Sequence, residues 1–328
     1  MAMYNNTTSF NPINVDIRPW SWLQVCQCVF AVTGIIGNSL VCAAFGRFPK
    51  LRTITNHFLV SLATADLITS VVIVPLPVPT SISPGLIGEL YCRFIWSKFL
   101  LWVSIKASVF NLVAVTIERY YALMHPGRYN RYFTRKRTKL VVALVWVFAL
   151  LLNVFILFIN TNAENTRQCE IIRTDTSFES IYGVFNLIVT FFLPVTTMIV
   201  VYTRIFKSMK KQAAILLKKN TSRNSPALSL LRARQKVVKT LFLVVMIFTA
   251  CWAPDQVCYL LFSLGYFTHY HASQVFQLFV LMAFCNSCVN PIIYGLRNKQ
   301  IRTGYKALFA KDATSAKFDN ESQMHPHT

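Results

Sequence analysis

The chain has 328 residues, of which 54% are apolar and 14% are charged, and its formal net charge is +21 at pH 7. Soluble domains carry about one quarter charged residues, so this composition argues against a water-soluble protein. The positive charge alone could indicate nucleic-acid binding. The basic residues lie in short links between long apolar runs, however, which favours a membrane protein and argues against a nucleic-acid partner.

Seven apolar runs follow one another along the chain, each close to the roughly 20 residues that cross a bilayer as a helix. They cover about residues 22–46, 56–79, 93–122, 140–160, 180–206, 237–264 and 272–295. The pattern predicts an all-α membrane protein, with an amphipathic surface helix over 296–309. We expect a polar tail over 1–21 without a cleavable signal peptide, a seven-helix domain over 22–309 and a disordered tail over 310–328.

The distribution of charge predicts the orientation in the membrane. The links after spans one, three and five, and the residues after span seven, are rich in lysine and arginine, whereas the other links are mixed, acidic or neutral. Basic links face the cytoplasm, so we expect the N-terminus outside and the C-terminus inside the cell. Overlapping sequons at Asn5 and Asn6 then predict glycosylation of the outer tail.

Nine cysteines are present, and seven of them lie within apolar runs, where a thiol behaves as a small hydrophobic group. Only Cys92 and Cys169 lie at or beyond the ends of spans, and the predicted topology places both on the outer side. Because that side is oxidising, we predict a disulfide between them.

Short motifs occur once per span and in a fixed order. They are Asn38, LATAD ending at Asp66, Glu118-Arg119-Tyr120, Trp146, Pro194 with Tyr202, CWAP over 251–254 and NPIIY over 290–294. Together they resemble the rhodopsin-like (class A) G-protein-coupled receptors over roughly residues 22–309. The resemblance implies a seven-transmembrane helix bundle in the plasma membrane that couples an extracellular ligand to a heterotrimeric G protein, with arrestin and membrane lipids as further partners.

The resemblance also implies which residues switch the receptor and couple it to the G protein through the 119–139 and 204–240 surfaces. The implied set is Glu118, Arg119, Tyr120, Tyr202, Trp252, Pro254, Asn290, Pro291 and Tyr294. Tyr202 and Tyr294 are expected to form hydrogen bonds near Arg119. Many relatives hold the arginine with an acid twenty residues before the proline of span six, where this chain has Arg234. We therefore expect that no salt bridge between spans three and six restrains basal signalling.

Asp66 is an acid in the middle of a span, where charges are costly and usually functional. Two interpretations remain open: a sodium ion held by oxygen ligands, as the resemblance implies, or a hydrogen-bonded network that fixes helix packing. The candidate residues are Asn38, Asp66, Ser108, Asn286, Ser287 and Asn290.

The outer half of the bundle should contain the ligand pocket. Receptors for amines resemble one another in an aspartate that corresponds to Leu101 here, and opsins need a lysine in span seven, which this chain lacks. Lys106 and Asp255 either pair with each other or, in the sharper hypothesis, Asp255 binds a cationic group of the ligand. The predicted pocket residues are Lys98, Leu101, Trp102, Lys106, Asp255, Gln256, Tyr259 and Phe276.

A seven-helix transporter or pump is the alternative from another class. Transporters usually show internal repeats, and none is evident here. The spans carry only three acids, Asp66, Glu118 and Asp255, too few for a proton relay, and no set of nucleophile and base predicts an enzyme. We therefore predict a neuropeptide-type receptor, with a receptor for a lipid or another small molecule as the alternative ligand class.

Overall fold

The computed structural model describes residues 21–75, 79, 81–163, 166–172, 176–218, 225–266, 273–297 and 299–309. The predictions for the N-terminal tail, including Asn5 and Asn6, and for the tail after residue 309 lie outside the described residues. In chain order the helices are α1 (Trp22–Arg47), α2 (Ile54–Val72), α3 (Leu86–Leu90), α4 (Phe99–Met124), α5 (Pro126–Tyr132), α6 (Arg135–Leu151), α7 (Val154–Ile159), α8 (Thr176–Leu187), α9 (Leu193–Lys218), α10 (Pro226–Ser263), α11 (Gln274–Arg297) and α12 (Lys299–Phe309).

These helices form seven membrane-crossing segments, in agreement with the seven predicted spans. Wider π turns join α3 to α4 and α8 to α9, so each of these pairs makes one long segment. Within the described residues, six segments are long and apolar enough to cross a membrane by length and composition. The seventh is α2, whose 19 residues include the polar Asn56, His57 and Asp66.

Two helices extend beyond the predicted spans, because an apolar run measures the membrane and not the helix. Span five was predicted to end near 206 and span six to begin near 237, but α9 continues to Lys218 and α10 begins at Pro226. The added turns are rich in lysine and arginine, which are good helix formers and extend beyond the membrane. At the start of α10, the Ser225 hydroxyl accepts a hydrogen bond from the Leu228 amide (3.3 Å), which caps the helix.

The second predicted span ends early, since α2 stops at Val72 and not near 79. Pro75 follows, and the residue before a proline is disfavoured in helical geometry. The third predicted span is broken at Lys98, which adopts a left-handed conformation (φ 52°) between the π turn Tyr91–Trp96 and α4. A π turn adds one residue to a helical turn, so the winding of this segment changes between Cys92 and α4.

The segments pack in a closed ring around α4. α4 contacts α2, α6 and α9; α1 packs against α2 and α11; and α10 joins α9 to α11. Gly34 lets α1 and α2 approach closely, because a Cβ atom there would overlap the Ser70 side chain. Trp146 on α6 donates a hydrogen bond to the Ser61 hydroxyl on α2 (3.1 Å).

A β-hairpin covers one end of the bundle. Strand β1 (Asn160–Ala163) pairs antiparallel with β2 (Gln168–Ile171), and Asn162 lies opposite Cys169. Cys169 forms a disulfide with Cys92 beside the start of the third segment, which confirms the predicted pair. The Glu89 carboxylate on α3 accepts hydrogen bonds from the Thr161 hydroxyl (2.8 Å) and from the backbone amide of Asn162 (3.1 Å). These bonds hold the hairpin to α3 in addition to the disulfide.

Candidate functional site

A cluster of charged side chains lies at the end of α4 opposite the disulfide. The Arg119 guanidinium donates two hydrogen bonds to the neighbouring Glu118 carboxylate, from Nε to Oε2 (2.6 Å) and from Nη2 to Oε1 (2.7 Å). Glu118 is completely buried, whereas the Arg119 side chain is about one fifth exposed. The pair is therefore an ion pair with an open side, in which the arginine can reach solvent if the carboxylate releases it.

Two residues that the sequence did not single out complete this cluster. The Thr55 hydroxyl, at the start of α2, donates to both Glu118 oxygens (3.2 Å each) and accepts a short hydrogen bond from Arg119. The Tyr129 hydroxyl, on α5, donates to Glu118 Oε1 (2.6 Å). Burial and the adjacent carboxylate raise the pKa of Tyr129, so this hydroxyl stays a donor over the physiological range.

The contacts of Arg119 bear on the expectation that no salt bridge joins spans three and six. Among the described residues the ion pair of Arg119 is with Glu118, and Arg234 on α10 is exposed. No acid of α10 therefore holds the arginine in this arrangement of the described residues.

Of the two tyrosines expected to form hydrogen bonds near Arg119, Tyr202 forms one and Tyr294 forms none within the described residues. Tyr202 is fully buried on α9, and its hydroxyl lies 3.4 Å from the Thr116 hydroxyl, one turn from Arg119. The Tyr294 hydroxyl on α11 is buried and has no hydrogen-bond partner within the described part of the chain. Tyr120 packs edge-on against the ring of Tyr121.

Trp252 and Pro254, two members of the predicted switch, lie two residues apart on α10. Pro254 lies inside α10, where it removes a backbone hydrogen bond. Pro291 lies inside α11 and has the same effect there. Trp252 is buried, and its ring lies 6.4 Å from that of Phe248. The indole therefore belongs to the main apolar core, so rotation of Trp252 would disturb the packing of α9 and α10.

Asp66 lies at the centre of a buried polar cluster. Its carboxylate accepts hydrogen bonds from the Ser108 hydroxyl (3.2 Å) and the Asn290 amide (2.8 Å). The Asn38 amide donates to the backbone oxygens of Gly34 (2.9 Å) and Ser287 (3.0 Å), which joins α1 to α11. These bonds join three of the six predicted network residues, Asp66, Ser108 and Asn290, and Asn38 and the Ser287 backbone form a separate pair.

The oxygen atoms in this region fit a hard cation. The side-chain oxygens of Asn38, Asn111 and Asn286 are buried and accept no hydrogen bond within the described residues. A carboxylate and unsatisfied amide oxygens are the ligand types that alkali and alkaline-earth cations prefer. Asp66, Ser108, Asn286 and Asn290 would hold Na⁺. The ion would balance the negative charge of the buried Asp66 carboxylate.

Sodium is therefore expected to stabilise the receptor through Asp66. Replacing choline chloride with sodium chloride at constant ionic strength should raise the thermal unfolding midpoint of the purified protein by about 3 °C. In Asp66→Asn the same exchange should have no effect, because the amide carries no charge. Replacement with potassium chloride serves as the ion control. If sodium raised the unfolding midpoint of Asp66→Asn as much as that of the wild type, Asp66 would not hold the ion. The hydrogen-bonded network would then be the remaining interpretation of this cluster.

The predicted pocket residues of α4 do not share one face. Leu101 is buried against Ala31, Ile73 and Phe284, so it faces α1, α2 and α11. Lys106 is also buried, but its Nζ atom lies 3.4 Å from the Leu152 backbone oxygen, at the end of α6. Five residues separate the two on the helix, which places them on different sides.

Of the two interpretations left open for Lys106 and Asp255, the ion pair is not seen, because the described residues show no salt bridge between them. α4 turns Lys106 towards α6, and the Asp255 carboxylate is buried on α10, where it accepts a hydrogen bond from the Gln256 amide (3.2 Å).

The remaining predicted pocket residues lie near the ends of α4, α10 and α11. Lys98 is exposed and Trp102 is half-buried on the first turns of α4. The Tyr259 ring lies 6.5 Å from that of Phe262 on α10, and Phe276 is half-buried on the first turn of α11. Asp255, Gln256 and Tyr259 lie within about one turn of each other on α10.

Comparison with known proteins agrees with this geometry. Residues 37–294 match the model of the family described as 7 transmembrane receptor (rhodopsin family). The chain is 30% identical over 306 residues to the histamine H2 receptor of Homo sapiens, with 88% of this chain and 79% of that receptor covered. It is 30% identical to the D(1A) dopamine receptor of Xenopus laevis, covering 93% of this chain and 76% of that receptor. It is 25% identical to the QRFP-like peptide receptor of Branchiostoma floridae, covering 87% and 76%. The chain belongs to the rhodopsin family of seven-transmembrane receptors.

Proposed function

We propose that this G-protein-coupled receptor of the plasma membrane responds to an extracellular peptide, whose cationic group binds Asp255. The observation that carries the proposal is the position of the acid. Leu101 stands where amine receptors have their aspartate and is buried among apolar side chains, whereas the buried acid of the outer half is Asp255 on α10. A cationic ligand group would therefore bind beside α10 and not beside α4.

The similarity to histamine and dopamine receptors does not assign the ligand. Those relatives and the QRFP-like peptide receptor are all between 25% and 30% identical to this chain, and the identity extends over most of its length. Similarity of this kind reflects the common helix bundle, whereas the ligand is selected by a few side chains in the outer half.

We also propose that the N-terminal tail lies outside the cell and the C-terminal tail in the cytoplasm. The disulfide between Cys92 and Cys169 supports this orientation, because such bonds persist in oxidising surroundings. The basic continuations of α9 and α10 face the other end of the bundle, as the excess of positive charge on cytoplasmic links requires. Arrestin would bind at that same end, beside Arg119.

The proposed ligand class is tested by a screen in cells that express the receptor. Pools of synthetic neuropeptides and a panel of amines, including histamine and dopamine, are applied with calcium and cyclic-nucleotide readouts. A response to a peptide pool that is missing in untransfected cells supports the proposal. A response to an amine or a lipid alone contradicts it.

Asp255→Asn is expected to lower the potency of the active peptide by at least about tenfold, because one charge-assisted hydrogen bond to the ligand is lost. Surface expression should stay near the wild-type level, because Lys106 does not depend on this carboxylate. Lys106→Gln is the matched control and should leave peptide potency within about twofold. If Asp255→Asn loses surface expression and Lys106→Gln restores it, the acid has a structural role.

A further inference from the structure

The link between the second and third predicted spans carries an exposed apolar face. On α3 the side chains of Leu86 and Ile87 are 74% and 76% exposed, and that of Leu90 is 46% exposed. Phe94 and Ile95, on the π turn that follows, are 41% and 54% exposed. Leu86, Leu90 and Phe94 are four residues apart, so they are neighbours along one side of the segment. These five residues, which we call the apolar stripe, indicate a surface that meets an apolar partner.

The opposite face of α3 is polar and is fixed to the hairpin. Besides the hydrogen bonds that Glu89 accepts from β1, the Asn162 side-chain amide donates a hydrogen bond to the Ser83 backbone oxygen (3.0 Å). A Cβ atom at Gly88 would overlap both the Ser83 oxygen and the Asn162 amide, so the backbone of α3 lies directly on β1. Because this face is fixed, the apolar stripe points away from the hairpin.

The position of α7 gives the depth of the π turn in the membrane. The Arg93 guanidinium donates a hydrogen bond to the Leu157 backbone oxygen on α7 (3.1 Å). At about 1.5 Å per residue, Leu157 lies roughly 27 Å along the fourth segment from Lys139, and the hydrocarbon core is about 30 Å thick. The π turn is therefore at the edge of the hydrocarbon core. α3 is bonded to Thr161, just beyond α7, and so lies at the level of the lipid headgroups.

We propose that α3 and the π turn are inserted into the leaflet on the side of the disulfide, where the apolar stripe binds the acyl chains of phospholipids. The link between spans two and three is then an interfacial element and not a solvated loop. Its polar face carries an internal ion pair between Arg93 and Glu89 (2.9 Å), so no unpaired charge of that pair is brought to the membrane. Tyr91 and Trp96 are half-buried in the same turn, and such residues are enriched at the membrane interface.

The stripe is continuous with the apolar surface that the spans expose to the membrane. Leu100, on the first turn of α4, is 51% exposed, and Phe158, next to Leu157 on α7, is 66% exposed. A water-soluble partner would have to reach below the headgroups to cover this surface, whereas lipid is already there. The inserted element also holds the hairpin at the bilayer surface, because the disulfide and the hydrogen bonds of Glu89 join the two.

The experiment uses full-length receptor, one copy per phosphatidylcholine nanodisc, with an environment-sensitive fluorescent amino acid encoded in place of Ile87. Phosphatidylcholine brominated in its acyl chains should lower the emission by at least about half, and iodide in the buffer by less than about a tenth. Bromine near the headgroup should quench more than bromine near the chain ends. The same amino acid in place of Glu170, an exposed residue of β2, is the matched control and should respond to iodide and not to bromine. Thermal unfolding verifies that both proteins are folded.

The other occupants of the stripe give different results. Quenching by iodide and not by bromine would show a face that is open to water and to extracellular partners, and would overturn the proposal. Quenching by neither would mean that the chain itself covers the stripe, with the same consequence. Bromine quenching that disappears when two receptors share a nanodisc would assign the stripe to contact between copies. A probe in place of Leu90 should repeat the result at Ile87, and disagreement between the two would overturn a continuous lipid-facing stripe.

Discussion

Replacing Cys92 or Cys169 with serine is expected to remove most of the folded receptor from the cell surface. The disulfide joins residues 77 apart in the chain, and closing a loop of that length accounts for about 4–5 kcal/mol in the chain-entropy model. That is an upper value here, because the unfolded spans remain helical in the membrane. It is still a large share of the total of about 5–15 kcal/mol that stabilises a typical protein.

The measurement is flow cytometry of an N-terminal epitope tag on intact cells, normalised to the signal after permeabilisation. The variant with both serines should be no worse than either single variant, because each single change already breaks the bond. Cys28→Ser is the matched control, since Cys28 is a free cysteine of α1, and it should keep its surface signal. Normal surface signal in Cys92→Ser would show that the hydrogen bonds of the hairpin hold the outer end without the disulfide.

The seven segments and the disulfide could be predicted from the sequence because each depends on a one-dimensional property. A run of apolar residues records the thickness of the bilayer, and the alternation of basic and non-basic links records the side of the membrane. Cys92 and Cys169 were identified as a pair because only those two lie outside apolar runs and on the same side. Each of these signals is read without knowing which helices are neighbours.

The ends of the helices required information that hydropathy does not contain. The continuations of α9 and α10 are polar on average, and their helical state follows from the propensity of lysine, arginine and leucine and from the cap at Ser225. The break at Lys98 has no local sequence signal, since lysine is not enriched in left-handed conformation.

The charge cluster around Glu118 includes two residues that the sequence did not single out. Thr55 and Tyr129 surround Glu118, yet Thr55 lies 63 residues away in the chain, so only the packing of α2 against α4 brings them together. The contacts of Lys106 could not be predicted for the same reason. Its depth in the membrane followed from the rise per residue, whereas its face depends on the rotation of α4 against α6.

Glu118→Gln is expected to raise basal nucleotide exchange on the G protein by about three- to tenfold, without any ligand, if about 1 kcal/mol of restraint is lost. The buried carboxylate accepts hydrogen bonds from Arg119, Thr55 and Tyr129, and a neutral amide has one acceptor oxygen and no charge for the guanidinium. Because Arg234 stands where relatives carry an acid, no second carboxylate of α10 replaces the lost restraint among the described residues. The measurement is the rate of guanine nucleotide binding to purified heterotrimeric G protein, with receptor in vesicles.

Three companion variants separate release of Arg119 from general loosening of the bundle. Tyr129→Phe removes one hydrogen bond but keeps the charge, so basal exchange should rise less than in Glu118→Gln. Adding Arg119→Gln to Glu118→Gln should bring exchange back to or below the wild-type rate, because the freed group is then missing. Arg234→Glu should lower basal exchange, since it supplies Arg119 with an acid from α10. If Glu118→Gln and the double variant are equally active, Arg119 is not what the carboxylate restrains, and the rise would instead come from the lost contacts of Thr55 and Tyr129, which connect α2 and α5 to α4.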